Sequence, residues 1–244
     1  MVICLRLARR VSRRLRSVTF DNMKHRAVLC FSLEAEWLLW QHGAMASASG
    51  ITLVIPAELY LADYAGALAR GWSPDNVRGA EAAREELADI ERDPAEFIRG
   101  KADDREAKGP PFKMPDGSFS RRIPGIIRWL WDGAFCGSIG FRWQPGTEAL
   151  PAHVLGHIGY AVVPWKRGRG YARTALAFML DEARAEGLAY VELTTDPDNP
   201  ASQKVIMGNG GFLVERFQKP AQYGVGLQNL RYRIMLPRPG TPVP

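Results

Sequence analysis

Cysteine is scarce in this chain: Cys4, Cys30 and Cys136 are the only three. They are odd in number and scattered, so they form neither a disulfide framework nor a metal-ligand set. A reducing cytosol is the simplest setting for such a chain. Long apolar runs are missing too. None approaches the ~20 residues needed to cross a bilayer, so a membrane is not an expected partner. No Ser/His/Asp motif points to a nucleophilic triad. There is no internal repeat, and the only biased tract is the Pro-rich end after Pro237. What remains is an ordinary globular composition, 46% hydrophobic and 24% charged. That suffices for one large core or two small ones.

Positive charge is unevenly spread. Residues 1–44 hold eight basic side chains (Arg6, Arg9, Arg10, Arg13, Arg14, Arg16, Lys24, Arg26) and three acidic ones (Asp21, Glu34, Glu36). The chain as a whole is +6, so this segment supplies +5 and the rest only +1. A nucleic-acid enzyme carries its positive field on the folded domain. This body is nearly neutral, so nucleic acid is not expected as a partner, except through the basic segment itself. That segment has the composition of a transit peptide and lacks the apolar stretch of a secretory signal. Met45 then opens a run of small residues ahead of the strand-like Ile51-Thr-Leu-Val-Ile55. The expectation is an untranslated or disordered extension over 1–44, with Met45 as the working start. A single domain over 45–237 and a Pro-rich tail over 238–244 would follow.

Along the body, Ile51–Ile55 reads as a strand, and Pro56–Arg70 and Gly79–Arg92 read as helices. Pro94–Arg105 adds a further turn or two. A long loop follows, marked by Gly109-Pro-Pro, Pro115-Asp-Gly117 and Pro124-Gly125. Asp132-Gly133 joins Ile126–Trp131 to Ala134–Trp143 as a hairpin. A loop over Gln144–Ala152 precedes a strand over Val154–Val163. A helix over Lys166–Glu186 ends at Gly187. Leu188–Thr195 is a strand, Pro200–Met207 a short helix, and Phe212–Phe217 and Leu230–Leu236 are late strands. This order predicts a mixed α/β sheet with helices on both faces.

The chemistry concentrates between His157 and Leu176. A strand runs to Val163, and Pro164 interrupts pairing. Gly168 and Gly170 permit unusual dihedrals and close backbone approach. The following helix points its unbonded N–H groups, and the positive end of its dipole, back at the loop. Arg167 and Arg169 add charge suited to a diphosphate, and Ala172 is small where a ligand would pass. A tight strand-to-helix turn would explain the glycines alone. A dinucleotide fingerprint fails, because Arg173 stands where its third glycine belongs.

The segment resembles motif A of the GNAT family of N-acetyltransferases, whose loop reads Gln/Arg-x-x-Gly-x-Gly/Ala. Arg167, Gly170 and Ala172 fill those positions. A second block follows at the family's spacing: Asn199-Pro-Ala-Ser202 opens a helix, and Gly211-Phe212 closes it into a strand. The resemblance covers most of residues 51–236. It implies a mostly antiparallel central sheet of about six to seven strands. It also implies acetyl-CoA as co-substrate, with a small-molecule or peptide amine as acceptor, in a monomer or homodimer. The pantetheine arm would pair with Tyr160, Ala161 and Val162, where a backbone N–H polarises the thioester carbonyl. The diphosphate would sit on Arg167, Gly168, Arg169, Gly170, Tyr171 and Ala172. Asn199 lies where the family contacts pantetheine and is equally an N-cap, with Pro200 at the first helical position.

Acetyl transfer to an amine needs proximity, a carbonyl-polarising amide and proton removal. It needs no metal and no covalent intermediate, so direct attack in a ternary complex is expected. Many relatives carry a tyrosine where this chain has Ile206. Tyr223 on the next loop is the candidate substitute for protonating the thiolate. His157 is a candidate base or a satisfied core histidine. Glu192 either takes a proton through water or pairs with an arginine. The missing tyrosine leaves a non-catalytic acyl-CoA-binding module as the alternative. The loops at Pro94–Pro124 and Gln144–Ala152, with Trp72, Trp129, Trp131 and Trp143, are candidates to wall an acceptor pocket.

Overall fold

The computed structural model describes residues 45–46, 50–113, 119–220, 223 and 226–237. The extension expected over 1–44 and the tail expected over 238–244 lie outside the described residues. In chain order the elements are β1 (Met45–Ala46), β2 (Thr52–Val54), α1 (Glu58–Ala69), α2 (Ala80–Arg92) and α3 (Pro94–Gly100). A small hairpin follows, β3 (Phe112–Lys113) and β4 (Phe119–Ser120). Then come β5 (Gly125–Trp131), β6 (Phe135–Arg142), β7 (Ile158–Val162), a 3-10 turn (Pro164–Lys166) and α4 (Tyr171–Ala185). The chain closes with β8 (Tyr190–Thr195), α5 (Pro200–Met207), β9 (Phe212–Gln218) and β10 (Gln228–Met235).

Local chemistry explains several boundaries. Asp93 caps α3 by accepting the Glu96 N–H at 2.8 Å, with Pro94 at the first helical position. Asn199-Pro200 repeats the device at α5, where Asn199 Oδ1 accepts the Ser202 N–H at 3.0 Å. Ala175, Leu176, Met179, Leu180 and Ala183 recur at helical spacing and form the buried stripe of α4. No helix among the described residues is long and apolar enough to cross a membrane.

Two apolar layers flank the strands. One face meets α4 and α5 through Leu130, Ile139, Leu176, Met179, Leu193 and Ile206. The other meets α1–α3 through Tyr64, Leu68, Trp72, Phe97, Trp129 and Phe135. Leu130 and Trp129 are adjacent, so strand alternation sends one to each layer. Tyr64 stacks on Trp129 with ring centres 4.4 Å apart. Trp72, Trp129 and Trp143 are buried core residues, so they do not wall a pocket as the sequence had suggested.

Helices on both faces and antiparallel pairing are as expected. The strands, however, divide between sheets. β1-β2-β5-β6-β7 form one, β8-β10-β9 a second, and β3-β4 a separate hairpin. The division falls between β7 and β8. There the His157 N–H donates to the Glu192 carbonyl at 2.7 Å, and ladder pairing goes no further. This contact also shortens the strand expected from Val154, which starts at Ile158. Residues 153–157 turn across β8 instead. Gly156 makes that approach possible, since a Cβ there would lie 3.0 Å from the Glu192 carbonyl oxygen and 3.3 Å from Leu193 Cα.

Gly156→Val is therefore expected to force the two strands apart where they meet. It should cost about 1–3 kcal/mol of stability, read as a lower urea midpoint.

Candidate active site

Beyond His157 the edge of β7 is open. β7 pairs with β6 in the register Ser138↔Ala161 and Gly140↔Gly159. The Val163 N–H donates to Cys136 at 2.9 Å, and the His157 carbonyl accepts from Arg142 at 2.9 Å. In an antiparallel ladder the bonding residues alternate. The N–H and C=O of Gly159 and Ala161 therefore face β6, and those of Tyr160 and Val162 face the gap. Of the three residues expected to offer edge groups, Ala161 does not.

The gap leads directly to the loop. Arg167 Nε donates to the Val162 carbonyl at 3.2 Å, so the guanidinium folds back on the open edge. Gly168 and Gly170 take φ of 78° and 79°, in the left-handed region. An α-helix cannot pass through such residues. This is why the helix expected from Lys166 is a 3-10 turn to Lys166, a loop, and α4 from Tyr171. The first bond of α4 is Thr174 N–H to the Gly170 carbonyl at 3.1 Å, and no side chain caps the helix. The amides of Tyr171, Ala172 and Arg173 consequently precede the helical ladder and point at the loop. Arg167 and Arg169 are exposed on it. The Tyr171 hydroxyl is turned away, donating to Asp132 at 2.7 Å.

Across the gap stands α5. The Tyr160 hydroxyl is 2.9 Å from Ser202 Oγ, so a β7 side chain spans to the first helical turn of α5. Asn199 performs its N-cap role beside it. Ile206 is fully buried and offers no proton donor.

An open strand edge, a loop of left-handed glycines and a bare helix N-terminus thus follow one another along the chain. The acetyltransferase (GNAT) family model matches residues 84–209, just over half of the chain. The chain belongs to the GNAT acetyltransferase family. It is accordingly an acetyltransferase with acetyl-CoA as co-substrate. No curated protein matches its sequence. Among solved structures it is similar to RimL, the ribosomal L7/L12 alpha-N-protein acetyltransferase, in complex with coenzyme A. The two are 15% identical over 79% of this chain and 98% of that one, with a TM-score of 0.51. The apo form of RimL gives 14% identity, 79% and 93% coverage and a TM-score of 0.50. At these identities the likeness concerns the fold.

The three residues expected to move protons in a GNAT enzyme are placed differently from one another. His157 is fully buried. Its Nδ1 accepts the Glu192 N–H at 3.0 Å, so in the neutral ring Nε2 carries the hydrogen. The ring thus has no spare lone pair for an amine, which corrects its candidacy as base. Burial pushes its pKa down, and the neighbouring Glu192 carboxylate only partly opposes this. Glu192 takes the pairing alternative, with Arg233 at 2.6 Å and Arg231 at 2.9 Å. Burial works against its charge, but those two arginines outweigh it and hold the carboxyl below the ordinary range. Tyr223 donates its hydroxyl to the His153 carbonyl. Burial raises its pKa, so the phenol keeps its proton.

Ser120, in the first loop expected to wall an acceptor pocket, meets His153, one residue past the second. The histidine Nε2 is 3.1 Å from Ser120 Oγ, and its carbonyl binds Tyr223. Beside them a groove of about 510 Å³ runs under Glu148–Leu155 and over Glu192, Arg231 and Arg233. Sequence reasoning missed Arg231, Arg233 and Asp132. The arginines lie 39 and 41 residues from Glu192, and Lys166 lies 34 from Asp132. No local pattern spans such distances.

A ring that resists protonation when folded is charged first in the unfolded chain. His157 therefore contributes stability that is complete above the ordinary value of about 6.5 and declines as pH falls below it. His157→Gln is expected to flatten urea stability against pH below that value. It should leave the pH dependence of acetyl transfer unchanged.

Proposed function

We propose that this enzyme moves the acetyl group of acetyl-CoA to a primary amine by direct attack in a ternary complex. The observation that carries the proposal is the β7 edge left unpaired by any strand, followed through the Arg167–Gly170 loop by the unbonded first amides of α4. Pantetheine pairs with the Tyr160 and Val162 backbone, and the diphosphate rests on the loop from Arg167 to Ala172. Arg167 and Arg169 neutralise it. Asn199 meets the pantetheine arm with the part of its side chain that the cap leaves over. One open-edge N–H polarises the thioester carbonyl, an interaction worth about 10²–10³ in rate where comparable donors are removed.

Neither His157 nor Glu192 has the free, moderately basic lone pair of a general base. The amine consequently reaches the thioester already neutral; as the amide forms and the thiolate leaves, the nitrogen's further proton passes to water, from which the donor to the thiolate is reprotonated. Tyr223, still protonated and on the loop that meets His153, is our candidate for the donor to the departing thiolate. We assign 45–237 as the single acyltransferase domain. We place it in the reducing cytoplasm on the strength of its few, scattered cysteines.

Free CoA thiol should appear only when acetyl-CoA and an accepted amine are both present. Initial rates should give intersecting double-reciprocal lines, with no acetylated enzyme by mass spectrometry. Parallel lines and an acetyl-enzyme would exclude direct attack. Arg167→Glu should weaken acetyl-CoA binding about tenfold or more in calorimetry, as expected for reversing a charge-assisted contact. Unaltered affinity would count against the loop assignment.

A further inference from the structure

Lys166 and Tyr171 flank the four residues 167–170, and both reach one carboxylate outside the motif. Lys166 Nζ lies 2.5 Å from Asp132 Oδ1, and the Tyr171 hydroxyl donates to Asp132 Oδ2 at 2.7 Å. Asp132 sits at the tip of the β5–β6 hairpin, so one hairpin residue ties down both ends of the loop. The Lys166 and Asp132 side chains are only 13% and 15% exposed, which limits screening of the pair. The ammonium also faces the Ala134 carbonyl at 3.4 Å and the Cys136 thiol at 3.5 Å. Burial opposes the Asp132 charge, yet the bonds from Lys166 and Tyr171 hold its carboxyl down to about 2. The brace is therefore ionised throughout the neutral range.

We infer that Asp132 is a positioning residue for acetyl-CoA, bracing the Arg167–Gly170 loop so that the first amides of α4 already face the diphosphate. The inference rests on the cofactor site proposed above. A loop with two left-handed glycines has much conformational freedom to lose when it closes on an anion. Bonds made at both its ends beforehand remove that cost from binding. The brace also assigns Lys166. Its ammonium serves the hairpin, which leaves Arg167, Arg169 and the amides for the diphosphate. Because Asp132 touches neither the thioester nor the amine, its effect falls on binding and not on the chemical step.

The test uses the full chain and three readouts: acetyl-CoA affinity by calorimetry, KM against kcat with an accepted amine, and hydrogen exchange of residues 167–173 without acetyl-CoA. Asp132→Ala should raise Kd and KM about tenfold, hold kcat within about twofold, and speed exchange across the loop. Tyr171→Phe, which removes one arm, should raise Kd less, and should add nothing in the Asp132→Ala background. Asp132→Glu should recover part of the affinity. A folded Asp132→Ala protein with unchanged affinity and exchange would overturn the inference, as would a loss confined to kcat. If Asp132→Ala does not fold, the milder Tyr171→Phe carries the same comparison, and unchanged loop exchange there overturns it. Should the unaltered enzyme fail to bind acetyl-CoA, the cofactor reading falls, while loop exchange still decides whether Asp132 braces the loop.

Discussion

β7 and β8 meet at one point and then part. The His157 N–H bonds to the Glu192 carbonyl, and the Glu192 N–H bonds back to the imidazole. A side-chain nitrogen thus occupies the place of the next ladder carbonyl. Since His157 spends both its backbone and its ring on Glu192, the ladder between the sheets ends there. Past that point the edge groups of β7 face a gap, apart from the Val162 carbonyl, which accepts from Arg167. Backbone polar groups seek partners, so on the reading proposed above this half-buried edge is where the amides of pantetheine would pair.

The site that results is mostly backbone. On the reading proposed above, edge groups of Tyr160 and Val162 and the first amides of α4 would do the recognising, while nearby side chains hold that backbone in place. Tyr160 reaches to Ser202, Arg167 to the Val162 carbonyl, and Lys166 and Tyr171 to Asp132. Backbone donors fixed in direction need no reordering when charge arrives, which is the physical basis of preorganised electrostatic binding. It also follows that a motif written in Gly, Arg and Ala says more about main-chain shape than about side-chain contact.

The groove over Glu192, Arg231 and Arg233 obeys a different rule. There the groups are charged side chains that neutralise one another: Glu192 between Arg231 and Arg233, and Glu215 against Arg231. The two arginines lower the basicity of Glu192. Glu192 is consequently a poor proton acceptor although it lies in the groove.

Much of this was legible in the residues alone. The Asp132-Gly133 hairpin, α5 with its Asn199-Pro200 start, the Arg167–Gly170 loop and the helix after it all follow from local rules: turn chemistry, capping and the φ demands of glycine. Those rules act within a few residues, so one sequence suffices to read them. The gap between β7 and β8, the facing of Ala161 toward β6, the loss of His157 as a base and the double grip of Asp132 on the loop were not legible. Each depends on register or on partners 30 to 40 residues away, which only packing brings into contact. The sequence by itself determined where the backbone would offer amides to an anion. The tertiary structure decided which amides stay unpaired and which side chains are already spent, because hydrogen-bonding groups are committed by their neighbours in space and not by their neighbours in the chain.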